Sequence, residues 1–304
     1  EMWKGSCTLA RIVSATVKIS ESAGQTIRRI VDTGDLGVHD KSSDASSWDP
    51  QTEADRAAQF LIVHSLQDKF KNITIIGEEE KTSEVPLEHG FSHDVLKLSF
   101  PPQLQEMKEE DIVVWVDPLD GTGEIAKTRA KTLDVLQQVT VLVGIAHKGE
   151  IVGGVVHQPW NGETGEARTI WAVKGLGIHG TVPKKSNTEK IVYTTRSHST
   201  KSVEDTLNEL STRGLCDKIV RVGGAGFKVL NVLDGAAAYV FASAGCKKWD
   251  TAAPQAILEE AGGKLTDISG RRIVYTKDVQ HSNSGGVLAT APWVNHSDYV
   301  DAIP

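Results

Sequence analysis

Residues 112–122 read Ile-Val-Val-Trp-Val-Asp-Pro-Leu-Asp-Gly-Thr. The first five residues are apolar and rich in valine, which predicts a strand that delivers Asp117 to its C-terminal end. Pro118 cannot continue the hydrogen-bonded ladder, so the chain is expected to turn and bring Asp120 back toward Asp117. Two carboxylates and the Leu119 carbonyl are hard oxygen ligands, which Mg²⁺ prefers, and Thr122 adds a hydroxyl. A plain turn would explain the two aspartates alone equally well.

Further carboxylates at the ends of other elements make the plain turn the weaker explanation. Glu78 follows an apolar strand at Ile73–Ile76, and Asp250 stands at a predicted helix start, where it is also a candidate N-cap. With Asp117 they predict one oxygen-rich pocket, in which two cations would clamp a phosphoryl group. Asp49, another candidate cap, is predicted to pair with Thr122 and take a proton from the attacking water.

The N-terminal part of the chain reads as a mixture of helices and strands. Apolar residues at helical spacing predict helices over Leu9–Val31 and Thr52–Phe70. Residues 81–110 are polar and are predicted to form a long surface excursion with at most one short helix. The strands at Val139–Ala146 and Ile151–His157 are expected to form a hairpin through Lys148-Gly149.

The C-terminal part shows a regular alternation of strands and helices, which predicts a layered α/β structure. The strands are predicted at Ile191–Thr195, Ile219–Val222, Ala238–Ala242 and Gly286–Thr290, and the helices at 200–213, 226–234 and 251–261. We place a boundary near residue 182. It separates an N-terminal α+β domain over 1–182, with most candidate metal ligands, from a C-terminal α/β domain over 183–304.

Composition excludes several classes of protein. The net charge of −7 argues against binding to a nucleic-acid polymer, which needs a basic surface. No stretch of about 20 apolar residues is present for a membrane-spanning helix, and the first residues lack a signal-peptide pattern. The three cysteines are far apart, which argues against disulfides and favours the cytoplasm. The sequence does not determine the oligomeric state, and we favour a monomer.

Several motifs resemble those of the lithium-inhibited, magnesium-dependent phosphatases, a superfamily that includes inositol monophosphatase. The resemblance rests first on Glu78 after Ile-Ile-Gly, on the 117–122 motif and on Trp-Asp-Thr-Ala at 249–252. Further motifs are similar to those of the bisphosphate nucleotidase branch. They lie at residues 34–37, 114–116, 168–171, 194–199, 221–226 and 245–250. The resemblance spans roughly residues 9–290 and implies the superfamily's layered α-β-α-β-α sandwich.

This resemblance implies an activity and a set of site residues. The implied reaction removes the 3′-phosphate of 3′-phosphoadenosine 5′-phosphate to give AMP, with two or three Mg²⁺ ions and inhibition by Li⁺. Inositol 1,4-bisphosphate is a second implied substrate. The implied metal ligands are Glu78, Asp117, the Leu119 carbonyl, Asp120 and Asp250, with Glu79 as a second-rank candidate. The implied water-activating pair is Asp49 and Thr122, and the implied nucleotide-binding residues are Thr195, His198, Gly224 and Lys228.

Physical arguments support the nucleotide-binding residues to different degrees. The glycine-rich turn at 223–226 precedes a predicted helix, so its backbone N–H groups could hold a phosphate, with the charge of Lys228 one turn further. A glycine-rich turn without a ligand is also plausible there. Three features depart from the branch: residues 123–138 and 42–48 are longer, and Phe227 stands where a polar residue is expected.

Other interpretations of the sequence remain. Gly175-Leu-Gly-Ile-His-Gly180 fits a dinucleotide fingerprint, but no helix is predicted after it, so we reject that interpretation. An inositol polyphosphate 1-phosphatase is the closest alternative enzyme, and the 195–198 and 223–228 motifs favour the nucleotide instead. A non-catalytic nucleotide sensor would be expected to lack one of Asp49, Asp120, Thr122 or Asp250, and the chain has all four.

Overall fold

The structure is a computed structural model that describes residues 2–43, 48–127, 131–186, 188–196 and 199–304. The helices are α1 Met2–Gly5, α2 Thr8–Thr33, α3 Glu53–Lys69, α4 His93–Leu96, α5 Pro102–Gln105, α6 Thr122–Lys127, α7 Leu133–Leu136, α8 Lys201–Thr212, α9 Ala225–Leu233, α10 Lys248–Glu260 and α11 His296–Ala302. The strands are β1 His39–Asp40, β2 Pro50–Gln51, β3 Thr74–Gly77, β4 Ile112–Asp120, β5 Thr140–His147, β6 Glu150–Gln158, β7 Arg168–Val173, β8 Gly177–His179, β9 Ile191–Thr195, β10 Lys218–Val222, β11 Ala238–Phe241, β12 Lys264–Thr266 and β13 Val287–Thr290.

Within these ranges two large sheets and three layers of helices alternate, and β1 and β2 form a separate two-stranded antiparallel sheet. The first sheet has the order β3-β4-β5-β6-β7-β8, and the second has the order β10-β9-β11-β13-β12. Helices α2 and α3 cover one face of the first sheet, while α9 and α10 lie between the two sheets. Helices α8 and α11 pack together against the outer face of the second sheet. The α/β class and the five-layer α-β-α-β-α order predicted from the sequence are confirmed.

Two small residues let α10 approach the first sheet closely. A Cβ at Gly144 in β5 would collide with Ala252, and a Cβ at Gly154 in β6 would lie 2.9 Å from the Cα of Ala253. Glycine at both positions therefore permits backbone packing that a larger residue would prevent. This contact fixes the start of α10, where Asp250 lies, against strands of the first sheet.

Most predicted elements are present with ends that differ by a few residues. The hairpin between β5 and β6 turns at Lys148 and Gly149, whose φ angles of 50° and 85° suit a tight two-residue turn. The glycine pattern at 175–180 leads into the short strand β8 rather than a helix, so its rejection as a dinucleotide site stands. The division at residue 182 stays a prediction, because one apolar cluster contains residues from both parts.

The structure corrects expectations about two regions of the chain. Strand β4 continues beyond Pro118, since Asp120 pairs with Thr140 after an irregularity in the ladder. Residues 81–110 contain α4, α5 and a single 3₁₀ turn, and they bury five apolar side chains against the core: Val95, Leu96, Phe100, Leu104 and Met107. That segment is thus part of the packed structure and not a surface excursion.

The helices of the structure can also be compared with the requirements for crossing a membrane. Among the residues that the structure describes, no helix combines the length and the apolar character needed to cross a bilayer.

One buried histidine links helix α2 to the first sheet. His157 lies in β6, and its Nδ1 is hydrogen-bonded to the Oγ1 of Thr169 at 2.8 Å. Its Nε2 lies so close to α2 that a Cβ at Gly24 would collide with it, and this nitrogen has no hydrogen-bond partner among the residues that the structure describes. Burial, assisted by the charge of Arg28, lowers the pKa of His157 to about 4. Protonation of this ring is therefore unfavourable in the folded protein.

We predict that His157 makes the protein less stable at mildly acidic pH. Between pH 6.5 and 4 the unfolded chain binds a proton at this histidine while the folded chain does not, so the free energy of unfolding falls as the pH drops through that window. The expected contribution is about 2 kcal/mol between pH 7.5 and pH 5. Urea unfolding at both pH values should show that His157→Gln removes this difference. His89→Gln, at a side chain that is 68% exposed, is the control; equal pH dependence in wild type and His157→Gln would contradict the prediction.

Candidate metal centre

Three aspartates from two elements converge at one point. Asp117 and Asp120 lie at the end of β4, and Asp250 is the third residue of α10. Each offers a carboxylate oxygen, and these atoms lie within 4.8 Å of one another. Asp117 and Asp120 are buried and Asp250 is half-buried, so three acidic groups share a poorly solvated space.

Glu78 joins this cluster because of strand pairing. Strands β3 and β4 are parallel neighbours, with Gly77 paired to Val116, and the Glu78 N–H donates to the Val116 carbonyl at 3.1 Å. Glu78, directly after β3, and Asp117, within β4, therefore lie at the same level of the sheet. Burial, reinforced by the charges of Glu79 and Asp250 and opposed by Lys41, raises the pKa of Glu78 to about 8. Burial and the charges of Glu78, Asp120 and Asp250 also raise the pKa of Asp117 well above its ordinary value.

Asp120 connects the cluster to the second half of the chain. Its Oδ2 accepts hydrogen bonds from the Gly226 N–H at 2.7 Å and from the Thr140 hydroxyl at 3.2 Å. Gly226 lies in the first turn of α9, so the carboxylate also stabilises the positive end of that helix. Burial and the charge of Asp250 raise the pKa of Asp120 to about 6, although Lys228 and the Gly226 N–H favour the charged form.

Asp250 holds a different position from the one expected. The sequence suggested an N-cap, but the N-cap of α10 is Lys247. Asp250 is the third residue of the helix and lies within its first turn. Its Oδ2 accepts a 2.7 Å hydrogen bond from the Lys247 N–H. This bond orients the carboxylate while its other oxygen remains available to the cluster.

The donor atoms fit a divalent cation. The four carboxylates place more negative charge in a buried pocket than the neighbouring Lys41 and Lys228 can balance, and burying unpaired charge is costly. All the donors are oxygens, and the Leu119 carbonyl lines the same cleft. Oxygen-only donor sets of this kind suit Mg²⁺ or another hard cation. Of the implied ligands, Asp117, Asp120 and Asp250 converge at one point, and Glu78 and Leu119 line the same cleft. Their role as metal ligands stays a prediction.

Thr122 is hydrogen-bonded to Asp55 rather than to Asp49. The Thr122 hydroxyl lies 2.7 Å from the Oδ1 of Asp55 and 2.8 Å from the Leu119 carbonyl. The side chain of Asp49 is 60% exposed, and its carboxylate lies 3.8 Å from the Nζ of Lys41. The expected Asp49–Thr122 pair is therefore wrong in its geometry, because Asp55 occupies the position beside the hydroxyl.

Asp55 is fully buried at the start of α3. Its Oδ2 accepts a 2.7 Å hydrogen bond from the Thr52 N–H, and the Thr52 hydroxyl caps the same turn. Burial and the charge of Glu79 raise the pKa of Asp55 to about 6, against the bonds from Thr52 and Thr122. The sequence carried a signal for this residue, since Asp55 shares the helix face of Ala58 and Ile62, where a carboxylate is unexpected.

Glu79, the second-rank metal candidate, has partners of its own. Its carboxylate is buried and accepts a hydrogen bond from the Gln51 side-chain amide. Lys41 Nζ lies 2.8 Å from Glu79 and 3.1 Å from Glu78. Glu79 thus holds Lys41 beside the cluster and lies outside the group of three converging aspartates.

The expected nucleotide-binding residues are only partly arranged as predicted. Gly224 lines the cleft, with a φ of 69° that favours glycine. The Lys228 ammonium is buried, donates to the Gly224 carbonyl at 2.9 Å and lies over the Tyr239 ring. Thr195 is buried at the end of β9. His198 lies outside the described residues.

The glycine-rich turn is largely occupied by the protein itself. The Gly223 N–H donates to the Gln138 side chain at 2.8 Å, and the Gly226 N–H donates to Asp120. The expected role of these N–H groups as a phosphate cradle is therefore wrong for Gly223 and Gly226. Phe227 is half-buried in the first turn of α9.

The candidate metal ligands, Thr122 and Gly224 border a cleft of about 760 Å³. Residues from both halves of the chain line it, including Glu78, Asp117, Thr122, Gly224 and Asp250. A carboxylate cluster, the residue Thr122 and a glycine turn therefore open onto one space large enough for a small phosphorylated substrate, and Asp55 lies behind Thr122 in the protein interior.

Comparisons with known proteins agree with this architecture. Residues 8–303 match the sequence profile described as the inositol monophosphatase family. The chain is 46% identical to human 3′(2′),5′-bisphosphate nucleotidase 1, over all of this chain and 97% of that protein. The rat protein of the same name is 44% identical, over 97% of this chain and 95% of its own length. The solved structure of the suppressor protein suhB from Bartonella henselae superposes with a TM-score of 0.68 at 20% identity, covering 95% of this chain and 96% of the other. The resemblance inferred from the aspartate motifs is confirmed, and the chain belongs to the inositol monophosphatase family.

Proposed function

We propose that this phosphatase removes the 3′-phosphate of 3′-phosphoadenosine 5′-phosphate in a Mg²⁺-dependent reaction that gives AMP and phosphate. The observation that carries the proposal is the convergence of Asp117, Asp120 and Asp250 in one cleft. Thr122 lines the same cleft, and its hydroxyl is hydrogen-bonded to Asp55. The nucleotide is inferred from the human and rat relatives, which are named as bisphosphate nucleotidases.

In this proposal the carboxylates and the Leu119 carbonyl hold the cations and thereby place the 3′-phosphoryl group. Bound Mg²⁺ supplies positive charge that neutralises the phosphoryl oxygens, polarises the attacking water and stabilises the leaving oxygen. Asp120 and Asp250 are each fixed by a backbone N–H, from Gly226 and Lys247 respectively. These bonds preorganise the ligands, so little reorganisation is needed when the substrate binds.

The Thr122–Asp55 pair is proposed to accept the proton of the attacking water. The Thr122 hydroxyl can pass its own proton to Asp55 at 2.7 Å while it accepts one from the water. As the bond from the water oxygen to phosphorus forms, the bond to the ribose 3′-oxygen breaks, and that oxygen takes a proton from solvent water. The raised pKa of Asp55, about 6, makes it a better proton acceptor than an ordinary aspartate.

The substrate's nucleoside portion is proposed to lie against the second half of the chain. Gly224 lines the cleft, and Thr195 ends the neighbouring strand β9. Lys228 contributes its charge from a buried position and orients the Gly224 carbonyl. His198 stays a proposed contact. Inhibition by Li⁺, two or three Mg²⁺ ions per site, inositol 1,4-bisphosphate as a second substrate, a monomeric state and the cytoplasm as location also remain proposals.

We expect purified protein with Mg²⁺ to release phosphate from 3′-phosphoadenosine 5′-phosphate and to leave AMP. Chelation of Mg²⁺ should abolish release, renewed addition should restore it, and millimolar Li⁺ should inhibit it. Phosphate release and nucleotide chromatography measure both products, and inositol 1,4-bisphosphate assayed in parallel tests the alternative substrate. Faster turnover of the inositol phosphate would reverse the proposed preference, and absence of release from both would exclude the activity.

Replacing Asp55 should separate the two candidate proton acceptors. Asp55→Asn keeps the size of the side chain but removes the acceptor, so kcat should fall by about 10²-fold or more. Asp49→Asn is the matched control, because its exposed side chain contacts Lys41, and kcat should change by less than about threefold. Steady-state kinetics at saturating Mg²⁺ decide the question. A larger loss in Asp49→Asn than in Asp55→Asn would restore the pairing first expected from the sequence.

Asp120→Asn should damage the metal site with little effect on folding. The amide oxygen of asparagine can still accept the Gly226 N–H, but the ligand loses its negative charge. We expect almost no turnover at millimolar Mg²⁺, and any residual activity should need at least about tenfold more Mg²⁺. Thermal unfolding checks that the variant is folded. Near-normal rates in folded Asp120→Asn would show that the metal site is assigned to the wrong residues.

A further inference from the structure

Residues 123–138 connect the aspartate motif to strand β5, and both ends of this connection touch the other half of the chain. Glu124 lies at its beginning in α6, and Gln138 lies at its end, just before β5. Both side chains are buried. Each contacts Gly223 or its neighbours, in the turn that leads to the proposed nucleotide-binding residue Gly224.

Gln138 holds the turn through both its side chain and its backbone. Its Oε1 accepts the Gly223 N–H at 2.8 Å, while its own amide donates to the Asp134 carbonyl at 2.7 Å. The backbone carbonyl of Gln138 passes so near the turn that a Cβ at Gly224 would lie 2.5 Å from it. The side chain is thus fixed at both ends, and the turn cannot shift without losing a buried hydrogen bond.

Glu124 holds the turn from its other side. Its side chain fills the space where a Cβ at Gly223 would lie, so the two residues are in close contact. Its Oε2 lies 2.6 Å from the Nη1 of Arg196, which directly follows Thr195 at the end of β9. The glutamate side chain is 9% exposed and the arginine 50% exposed, so one partner is anchored in the protein interior. One carboxylate therefore connects the Gly223 turn with the end of β9.

We propose that Glu124 and Gln138 form a brace that positions the nucleotide-binding turn and the end of β9, and that Arg196 acts as its partner in the second half of the chain. This inference rests on the proposed nucleotidase function and assigns a role to the long 123–138 connection. Glu124, Gln138 and Arg196 are positioning residues. The carboxylate cluster and the Thr122–Asp55 pair are carried by β3, β4, α3, α6 and α10, and Asp120 keeps its own hydrogen bond to the Gly226 N–H when the Glu124–Arg196 pair is lost. The brace should therefore set substrate affinity and leave the chemical step unchanged.

The test compares two substrates in Glu124→Gln, Arg196→Gln and the double variant. For 3′-phosphoadenosine 5′-phosphate, KM should rise about tenfold in each single variant while kcat changes less than about twofold. Because the two residues act as one pair, the double variant should be no worse than either single variant. Arg196→Lys, which keeps the charge, should recover part of the affinity. For p-nitrophenyl phosphate, which has no nucleoside to contact the turn, the kinetic constants should stay within about twofold of wild type.

Glu163→Gln is the matched control, since Glu163 forms a 2.9 Å ion pair with Lys184 in which both side chains are largely exposed. It should leave KM for the nucleotide unchanged. If Glu124→Gln does not fold, as judged by thermal unfolding, Arg196→Gln carries the test because its side chain is half exposed. A fall in kcat for both substrates, or an unchanged KM for the nucleotide in Arg196→Gln, would overturn the brace alone. Wild-type protein that hydrolyses p-nitrophenyl phosphate but not the nucleotide would overturn the proposed function and the brace with it.

Discussion

The carboxylate of Asp120 takes part in two interactions at once, one with helix α9 and one with the aspartate cluster, and the arrangement of the cleft depends on both. Through Oδ2 it accepts the Gly226 N–H at the start of α9, and it also contributes an oxygen to the cluster with Asp117 and Asp250. A helix N-terminus and a divalent cation both favour a negative charge at this position. The glycine turn of the second half is therefore held at a set distance from the metal ligands of the first half. Relative movement of the two halves would disrupt both interactions.

The layered fold makes this arrangement possible, because the two helices between the sheets both begin at the cleft. Helix α9 starts against Asp120, and α10 starts with the segment that carries Asp250. The close packing of α10 on Gly144 and Gly154 fixes its position relative to strand β4. Buried backbone contacts are rigid on the scale of a metal–ligand bond. Core packing some distance from the cleft thus determines where the third aspartate lies.

Much of the fold and the convergence of the aspartates could be predicted from the sequence, because apolar strands that end in carboxylates are local patterns. The hairpin at Lys148-Gly149 and the alternation after residue 190 are local patterns as well. Asp55 was missed because its role depends on a contact with Thr122, 67 residues away, and a capping aspartate has an ordinary explanation. Asp49 also stands just before a helix, and sequence alone does not show that its side chain faces solvent. The 81–110 segment was misjudged since its polar residues outnumber the few apolar ones that pack on the core.

The distribution of roles between the halves has a consequence for specificity. Glu78, Asp117, Thr122 and Asp55 come from the first sheet and its covering helix, whereas Gly224 and Thr195 come from the second half. Between members of the family, the residues that act on the phosphoryl group can then stay the same while the surface that contacts the rest of the substrate differs. Such a division agrees with a family in which relatives are named for inositol phosphates and for bisphosphate nucleotides alike. Contacts cross between the halves at Asp120, Glu124 and Gln138. They hold the glycine turn that is proposed to bind the nucleoside beside the metal ligands of the first half, so that the two surfaces can bind one substrate together.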